Sequence, residues 1–554
     1  DGLDELAPIN LKVSSKFITG GPNVLDQSGS FFCRTLFEGR EANQGEQYEL
    51  LTKIRNLLPK KKVIWLLLDR FFNDLYQLMP IIDEADFKNQ MVRLLGEPAY
   101  DDDHIEELEL EKKLDLAYIS SLLVILRVTY LSLFDNRNKV NENNLNTKST
   151  TPEALNLKYL LQHPINVVCI DLARQCLDKF TIANRASFAV LQAYMVMRIY
   201  SIHAPEEGDG FDGGDSKVSM GRLVQMSYAM GLNREPDNFD DTKDSPIRNQ
   251  LGRKIWHWLV RENYATCMTL GNPPLIAPGY YDTKVPYHSA GKNETTAKVD
   301  VELIVVHIFR WFENHKEHMH NIMNVNHNVK GRIPMPELMR MITHHEKLIP
   351  DRGDLSKAFP GFPFTPLMKR ILETHGIRVH FNLKSNVLAM CYHLFLHYER
   401  IGASDIAFFY QKKLCCISLF HILPQIFEIV CGKEASQGIH LNHLMLQIIQ
   451  RANQVTIGMM LRVATYAYFM QHDSNHNSKM ATDPLYAETY DKVILCFELY
   501  KRSCELQIQI VGGFTSRYYY AWRTFKAQTF LIKHLGNIEI CGQVGYRGHF
   551  YINL

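Results

Sequence analysis

The sequence has no CxxC pair. Its 11 cysteines stand scattered at 33, 169, 176, 267, 391, 415, 416, 431, 496, 504 and 541. That spacing excludes a disulfide framework and a cysteine-rich zinc module in this stretch. Apolar neighbours, as in Leu414-Cys415-Cys416-Ile417, suit reduced, buried thiols of an intracellular protein. An excess of one charge is also missing: 61 Lys and Arg balance 60 Asp and Glu, for a net +1. A generic nucleic-acid binder would carry a basic excess, so any DNA contact by this segment is local or absent. Alternating strand patterns are almost absent, as are sustained heptads and repeats of fixed period, which counts against helical-repeat arrays. No GxSxG, phosphate-loop or catalytic-cysteine signature occurs. The most membrane-like run, Leu414 to Val430, is broken by Pro424 and Glu428 and reads as a buried helix. The start, Asp1-Gly2-Leu3-Asp4, does not read as a signal peptide.

What is present is helical periodicity in a chain that is 46% hydrophobic and 22% charged, the balance of a folded protein. Leu50, Leu51, Ile54, Leu57 and Leu58 share one face of a helix beginning near Tyr48; Val63 to Met79 makes a second, stopped before Pro80. Ile119 to Leu133 is apolar enough for core. Asp135 to Ala154 reads as a solvated linker, and Tyr287 to Lys298 as a polar separator between two helical halves. Prolines between 325 and 366 loosen that stretch. Long periodic segments follow at about 384–400, 404–431, 441–472, 484–509 and 515–536, with a polar loop from Gln471 to Pro484. The expected fold is all-α: a large irregular helical domain in two packed halves. Its organisation is an irregular segment 1–45, a helical half 46–290 and a second helical half 291–554.

The densest signals lie between Gly221 and Pro286. Ser219 is a candidate cap for a helix with Leu223, Met226 and Met230 on its apolar face. Gly231 follows the last periodic position, where a left-handed residue ends a helix at least cost, and Leu232 can fold back on the last turn. Ser245-Pro246 offers a capping hydroxyl and a proline at the first helical position. The new helix carries Ile247, Leu251, Ile255, Trp258 and Leu259 on one face, is stopped by Gly271, and leaves through Asn272-Pro273-Pro274.

Candidate chemical motifs were weighed against packing. Gly208-Asp209-Gly210-Phe211-Asp212-Gly213 fits GxGxxG but follows no strand, and its aspartates lack calcium-loop spacing. His315, His318 and His320 sit with Glu313 and Glu317 on one helix, readable as a zinc pair or as a polar face; no partner group favours zinc. Lys60-Lys61-Lys62 reads as a solvated helix start. Asp101-Asp102-Asp103 is the lone aspartate triplet, where a helical lipid-processing enzyme would need paired acidic motifs. With 29 Phe, 26 Tyr and 20 Met, the core can line a pliable apolar pocket.

Gly231-Leu232-Asn233-Arg234-Glu235, Arg253-Lys254-Ile255-Trp256 and Leu270-Gly271-Asn272-Pro273-Pro274-Leu275-Ile276 resemble the regulatory middle homology domain of fungal binuclear zinc-cluster (Zn2Cys6) transcription factors. A second stretch agrees: Leu68-Asp69-Arg70-Phe71-Phe72, Met79-Pro80-Ile81-Ile82-Asp83 and Phe87. The resemblance covers about residues 60–290. Asn233 departs from the family's usual His, and Arg261-Glu262-Asn263 from its usual Asp-Arg. Phe72, Pro80, Phe87, Gly231, Leu232, Arg234, Arg253, Trp256, Gly271, Pro273 and Pro274 are therefore expected to shape and cap helices, with no catalytic or metal-ligating residue and no cofactor in this segment. The resemblance implies a nuclear regulatory domain that acts as a homo- or heterodimer. It also implies DNA contact through a zinc cluster outside this chain, co-activator or co-repressor contacts and no membrane. Large yeast regulators similar to the haem-responsive or oleate-responsive activators are the nearest image, which makes haem or a lipid a candidate effector, although no Cys-Pro haem motif occurs. The preferred trigger is an apolar effector between helices. The rivals are a constitutive dimerisation scaffold without ligand and a helical enzyme.

Overall fold

A computed structural model describes residues 41–547, apart from 99–102, 106–107, 109, 181–185, 208–213, 243, 329 and 432–437. The GxGxxG stretch, part of the aspartate triplet and residues 1–40 lie outside the described residues. The described residues are helical and turn structure, with no strand among them.

The first helices are α1 (Glu41–Leu57), α2 (Lys61–Arg70), α3 (Glu84–Leu95), α4 (Asp115–Leu131), α5 (Asn138–Leu145), α6 (Pro152–Gln162), α7 (Val168–Asp178), α8 (Phe188–His203) and α9 (Gly214–Ala229). Then come α10 (Pro246–Leu270), α11 (Val299–His327), α12 (Met335–Lys347), α13 (Pro366–Arg400), α14 (Ser404–Cys415), α15 (Leu423–Cys431) and α16 (Gly438–Gln471). The last are α17 (His476–Thr482), α18 (Pro484–Gly512), α19 (Tyr519–Leu535) and α20 (Ile538–Arg547). The linker expected at Asp135 to Ala154 is instead occupied by α5 and the start of α6: Pro152 takes an early helical position, and α5 buries no residue, so its pattern carried no core signal. The polar loop after Gln471 likewise holds the short α17, and the proline-loosened stretch holds α12.

Cap chemistry is only partly as expected. Gly231 and Gly271 do adopt left-handed conformations, with φ of 68° and 69°. Ser219, however, lies inside α9, and Ser245 makes no side-chain cap bond although Pro246 opens α10 as read. Leu251, Ile255, Trp258 and Leu259 are buried, but Ile247 is 44% exposed because it sits on the first turn, ahead of the packed stretch.

One apolar core runs from Leu50 in α1 to Ala521 in α19 and crosses residue 290 without a break; a smaller cluster joins α16, α18, α19 and α20. The polar stretch Tyr287–Lys298 is stitched into this body: Thr295 and Thr296 are buried, and Glu84 accepts hydrogen bonds from Thr296 Oγ1 at 2.9 Å and the Ala297 N–H at 3.0 Å. The run Leu414 to Val430 is not the buried helix expected. A π-helical turn (Cys416–Ile422) joins α14 to α15, and Phe408 and Phe409 of α14, Phe420 of the turn and Phe427 of α15 are 50% or more exposed, because only one side packs on α13, α16 and α18. By length and composition, Ser404–Val430 is apolar enough to cross a membrane.

Candidate functional site: a charged seam around one buried helix

α10 is the hub. It packs on α9, α11 and α13, and is buried without interruption from Asn249 to Tyr264. A helix enclosed on all sides is expected to be apolar all round. This one carries Arg253, Lys254, His257, Arg261 and Glu262, so each charge must find a partner inside.

Arg253 and Glu235 form a fully buried pair, 1% and 2% exposed, with Arg253 also reaching Asp237 at 2.7 Å. The Glu235 carboxylate accepts the Lys284 N–H at 2.8 Å, and Lys284 Nζ holds Asp237 at 3.0 Å. Burial works against the Arg253 charge, yet bonds to Glu235 and Asp237 hold its pKa above the ordinary arginine value. The glycine-led turn is thereby latched to α10. At the latch's rim, Arg234 meets Asp282 at 3.2 Å in an exposed pair, and Asp282 also accepts the Glu235 N–H at 2.7 Å. Leu232 folds back over Gly252, and its carbonyl accepts the Thr283 hydroxyl at 2.7 Å.

One residue on, Lys254 points elsewhere. Its Nζ donates to Glu302 Oε2 of α11 at 2.6 Å and to Thr295 Oγ1 at 2.5 Å; Thr295 also pairs with the Tyr76 hydroxyl at 2.6 Å. Lys254 and Glu302 are both 0% exposed. Burial pulls the Lys254 pKa below its ordinary value, partly offset by Glu302. Trp256 lies edge-on to Tyr228 and Tyr281, at 5.3 and 5.5 Å between centroids. Phe72 packs on Phe71, Tyr76 and Phe87, and Pro80 is buried beside them. Past Gly271, Pro273 is exposed and Pro274 half-buried, but Asn263 Oδ1 accepts the Leu275 N–H at 3.0 Å and pins the exit. Most of the motif residues thus lie at helix ends, in ion pairs or in the core, with Pro273 exposed beyond the end of α10.

The far end of α10 opens onto a different environment, which sequence reasoning missed. Here α8, α10, α13 and α16 cross around a narrow void of about 30 Å³, lined in part by His203, Glu262, Arg378, His440 and His443. Glu262 is held by Arg261 at 3.2 Å and Arg378 at 3.5 Å. Burial raises the Glu262 pKa, but Arg378, Arg261 and Arg198 overcome it and leave the carboxyl below its ordinary value. Arg198 donates to Ser219 Oγ at 2.8 Å and Thr266 Oγ1 at 3.2 Å. His203 lies edge-on to His443, 4.3 Å between centroids, and 6.1 Å from His440. Burial pushes His203, His375, His440 and His443 down, His443 to about 3, and the Arg378 charge adds to each. A second void of about 40 Å³ lies on the other side of Arg378, bordered by Trp311, Phe312, Met268 and Met319. The lining is thus charged and histidine-rich on one side of Arg378 and largely apolar on the other. The hint in the sequence was the His440, His443 spacing at the start of α16, beside the apolar Leu441, Leu444, Met445 and Leu446.

Of the expected histidine cluster, His318 faces His344 and His345 across α11 and α12, with His318 Nε2 3.3 Å from His345 Nδ1. Among the described residues no group of three or more His, Cys, Asp or Glu could hold a metal ion.

Residues 68–330 match the family model described as fungal specific transcription factor domain. The chain is 37% identical over 494 residues to multidrug resistance regulator 1 of Candida albicans, covering 89% of this chain and 44% of that protein. It is 25% identical over 381 residues to transcription factor MAR1 of Candida glabrata, covering 54% of this chain and 28% of that protein. To the heme-responsive zinc finger transcription factor HAP1 of Saccharomyces cerevisiae it is 25% identical over 374 residues, covering 48% and 25%. The chain spans less than half the length of each of these relatives.

Proposed function

We infer that this chain, which belongs through residues 68–330 to the fungal specific transcription factor domain family, is the effector-sensing regulatory body of a zinc-cluster transcription factor. DNA contact would fall to a zinc cluster elsewhere in the protein, in the nucleus, with the body acting in a homo- or heterodimer and meeting a co-activator or co-repressor. The near-neutral net charge of +1 suits a body that does not itself grip DNA.

The observation that carries this reading is the crossing of α8, α10, α13 and α16, where buried charge and small voids meet in one place. Tightly packed interiors are bistable, not continuously deformable, so a ligand that fits one packing better shifts the population toward it. A shift from mostly closed to mostly open needs an effector preference of about 5.5 kcal/mol. Relatives named for multidrug resistance and haem response are in keeping with small-molecule control.

The test is thermal unfolding of the purified chain with fatty acids, sterols, haem and drugs at saturating dose. A rise with at least one class supports sensing. No rise with any class would favour the second reading, a constitutive dimerising scaffold, which the tightness of the void of about 30 Å³ also suits.

A further inference from the structure

We propose that the crossing of α8, α10, α13 and α16 is a binding site for a small organic acid, whose carboxylate sits on Arg378 and the adjoining histidines and whose apolar body lies against Trp311 and Met268. The proposal rests on the effector-sensing reading and names its ligand class.

The buried charge does not balance. Arg198, Arg261 and Arg378 face Glu262, and the other titratable groups around the two voids are His203, His375, His440, His443 and Tyr264, all held neutral by burial. Asp74 lies beyond His440 near the surface and is shared by Arg70 at 3.6 Å and Arg370 at 3.8 Å. Three guanidinium groups against one carboxylate in a water-poor interior is costly unless an anion completes the set.

Arg378 is the group free to take it. Arg261 also donates to the Leu78 carbonyl at 3.3 Å, and Arg198 to two hydroxyls. Arg378 meets Glu262 at 3.5 Å, a loose contact, and borders both voids. A planar guanidinium binds a carboxylate in two parallel bonds, which a neutral ligand cannot return. A second observation agrees. His203 is 8% exposed, lines the void, and its Nδ1 has no hydrogen-bond partner. Across Arg378 the walls turn to Trp311, Phe312, Met268 and Met319, apolar side chains against which an aryl or alkyl body packs once the helices part, since the void there is only about 40 Å³.

The experiment titrates the purified chain with naphthoate and decanoate, each against its neutral primary amide, by calorimetry and thermal shift. Each acid is expected to bind roughly ten- to a hundredfold tighter than its amide, the range of a charged hydrogen bond. Arg378→Gln is expected to abolish that preference while leaving amide binding in place, and Arg378→Lys to keep part of it. If Arg378→Gln fails to fold, the comparison of acid with amide on the unaltered chain still decides. Equal binding of acid and amide overturns the proposal, as does unchanged acid binding by Arg378→Gln. Failure of both acids overturns it as well. A neutral sterol or drug that stabilises the chain in those cases leaves effector sensing standing.

Discussion

Lys254 and Glu302 face each other at 2.6 Å, neither exposed at all, across the junction of α10 and α11. With Thr295 and Tyr76 they tie α11 and the segment before it to the hub helix. Breaking a buried pair strands a charge, whereas replacing both partners removes the problem. Lys254→Met is expected to cost about 3–5 kcal/mol in urea unfolding, and Lys254→Met with Glu302→Leu to recover most of it. Equal losses for the single and double variants would contradict the pairing.

The two arginines of the turn differ in the same way. Arg253 is 1% exposed on Glu235, while Arg234 is 50% exposed on Asp282. Arg253→Ala is expected to destabilise by about 3–5 kcal/mol and Arg234→Ala by about 0–1 kcal/mol. Chemical denaturation of the two variants checks the order.

Glycines separate by what a side chain would meet. Gly231 and Gly271 both take a left-handed backbone, and Gly271 has open space around it, so Gly271→Ala should cost about 1–2 kcal/mol. At Gly376 in α13 a methyl group would stand 1.6 Å from the Gly353 carbonyl oxygen. Gly376→Ala is therefore expected to lower the melting temperature more than Gly271→Ala does.

Acid should loosen the crossing. His203, His375, His440 and His443 are held neutral when folded, against an ordinary value of 6.5. Above that value neither state binds the protons and stability is unaffected. Below it the unfolded chain takes them up first, so stability falls as pH drops, by about 1.4 kcal/mol per pH unit for each histidine. The loss continues toward about 3 for His443. Stability profiles of His443→Leu and the unaltered chain, compared from neutral to acid, should diverge in slope below pH 6.5. Parallel profiles would contradict neutral burial.

Much of the fold was legible because helix ends are local. Gly231, Gly271 and Pro246 each announce a backbone geometry within a few residues, and each took it. The charged seam was not legible. A lysine or arginine in a helical run normally marks the solvated side, and nothing near Lys254 points to Glu302, 48 residues on. α10 also hid its enclosure, since polar groups paired on every side look like an ordinary amphipathic pattern until the partners are known. α5 failed in the opposite direction: with no buried residue it has no apolar stripe to read.

Hydrogen exchange on the chain with and without a stabilising effector reaches the central claim most directly. Regulation from the crossing predicts slowed exchange at 199–203 in α8, 258–269 in α10, 378–382 in α13 and 439–447 in α16, together and in proportion to ligand occupancy. Protection confined to other helices, or none in these four, would contradict it.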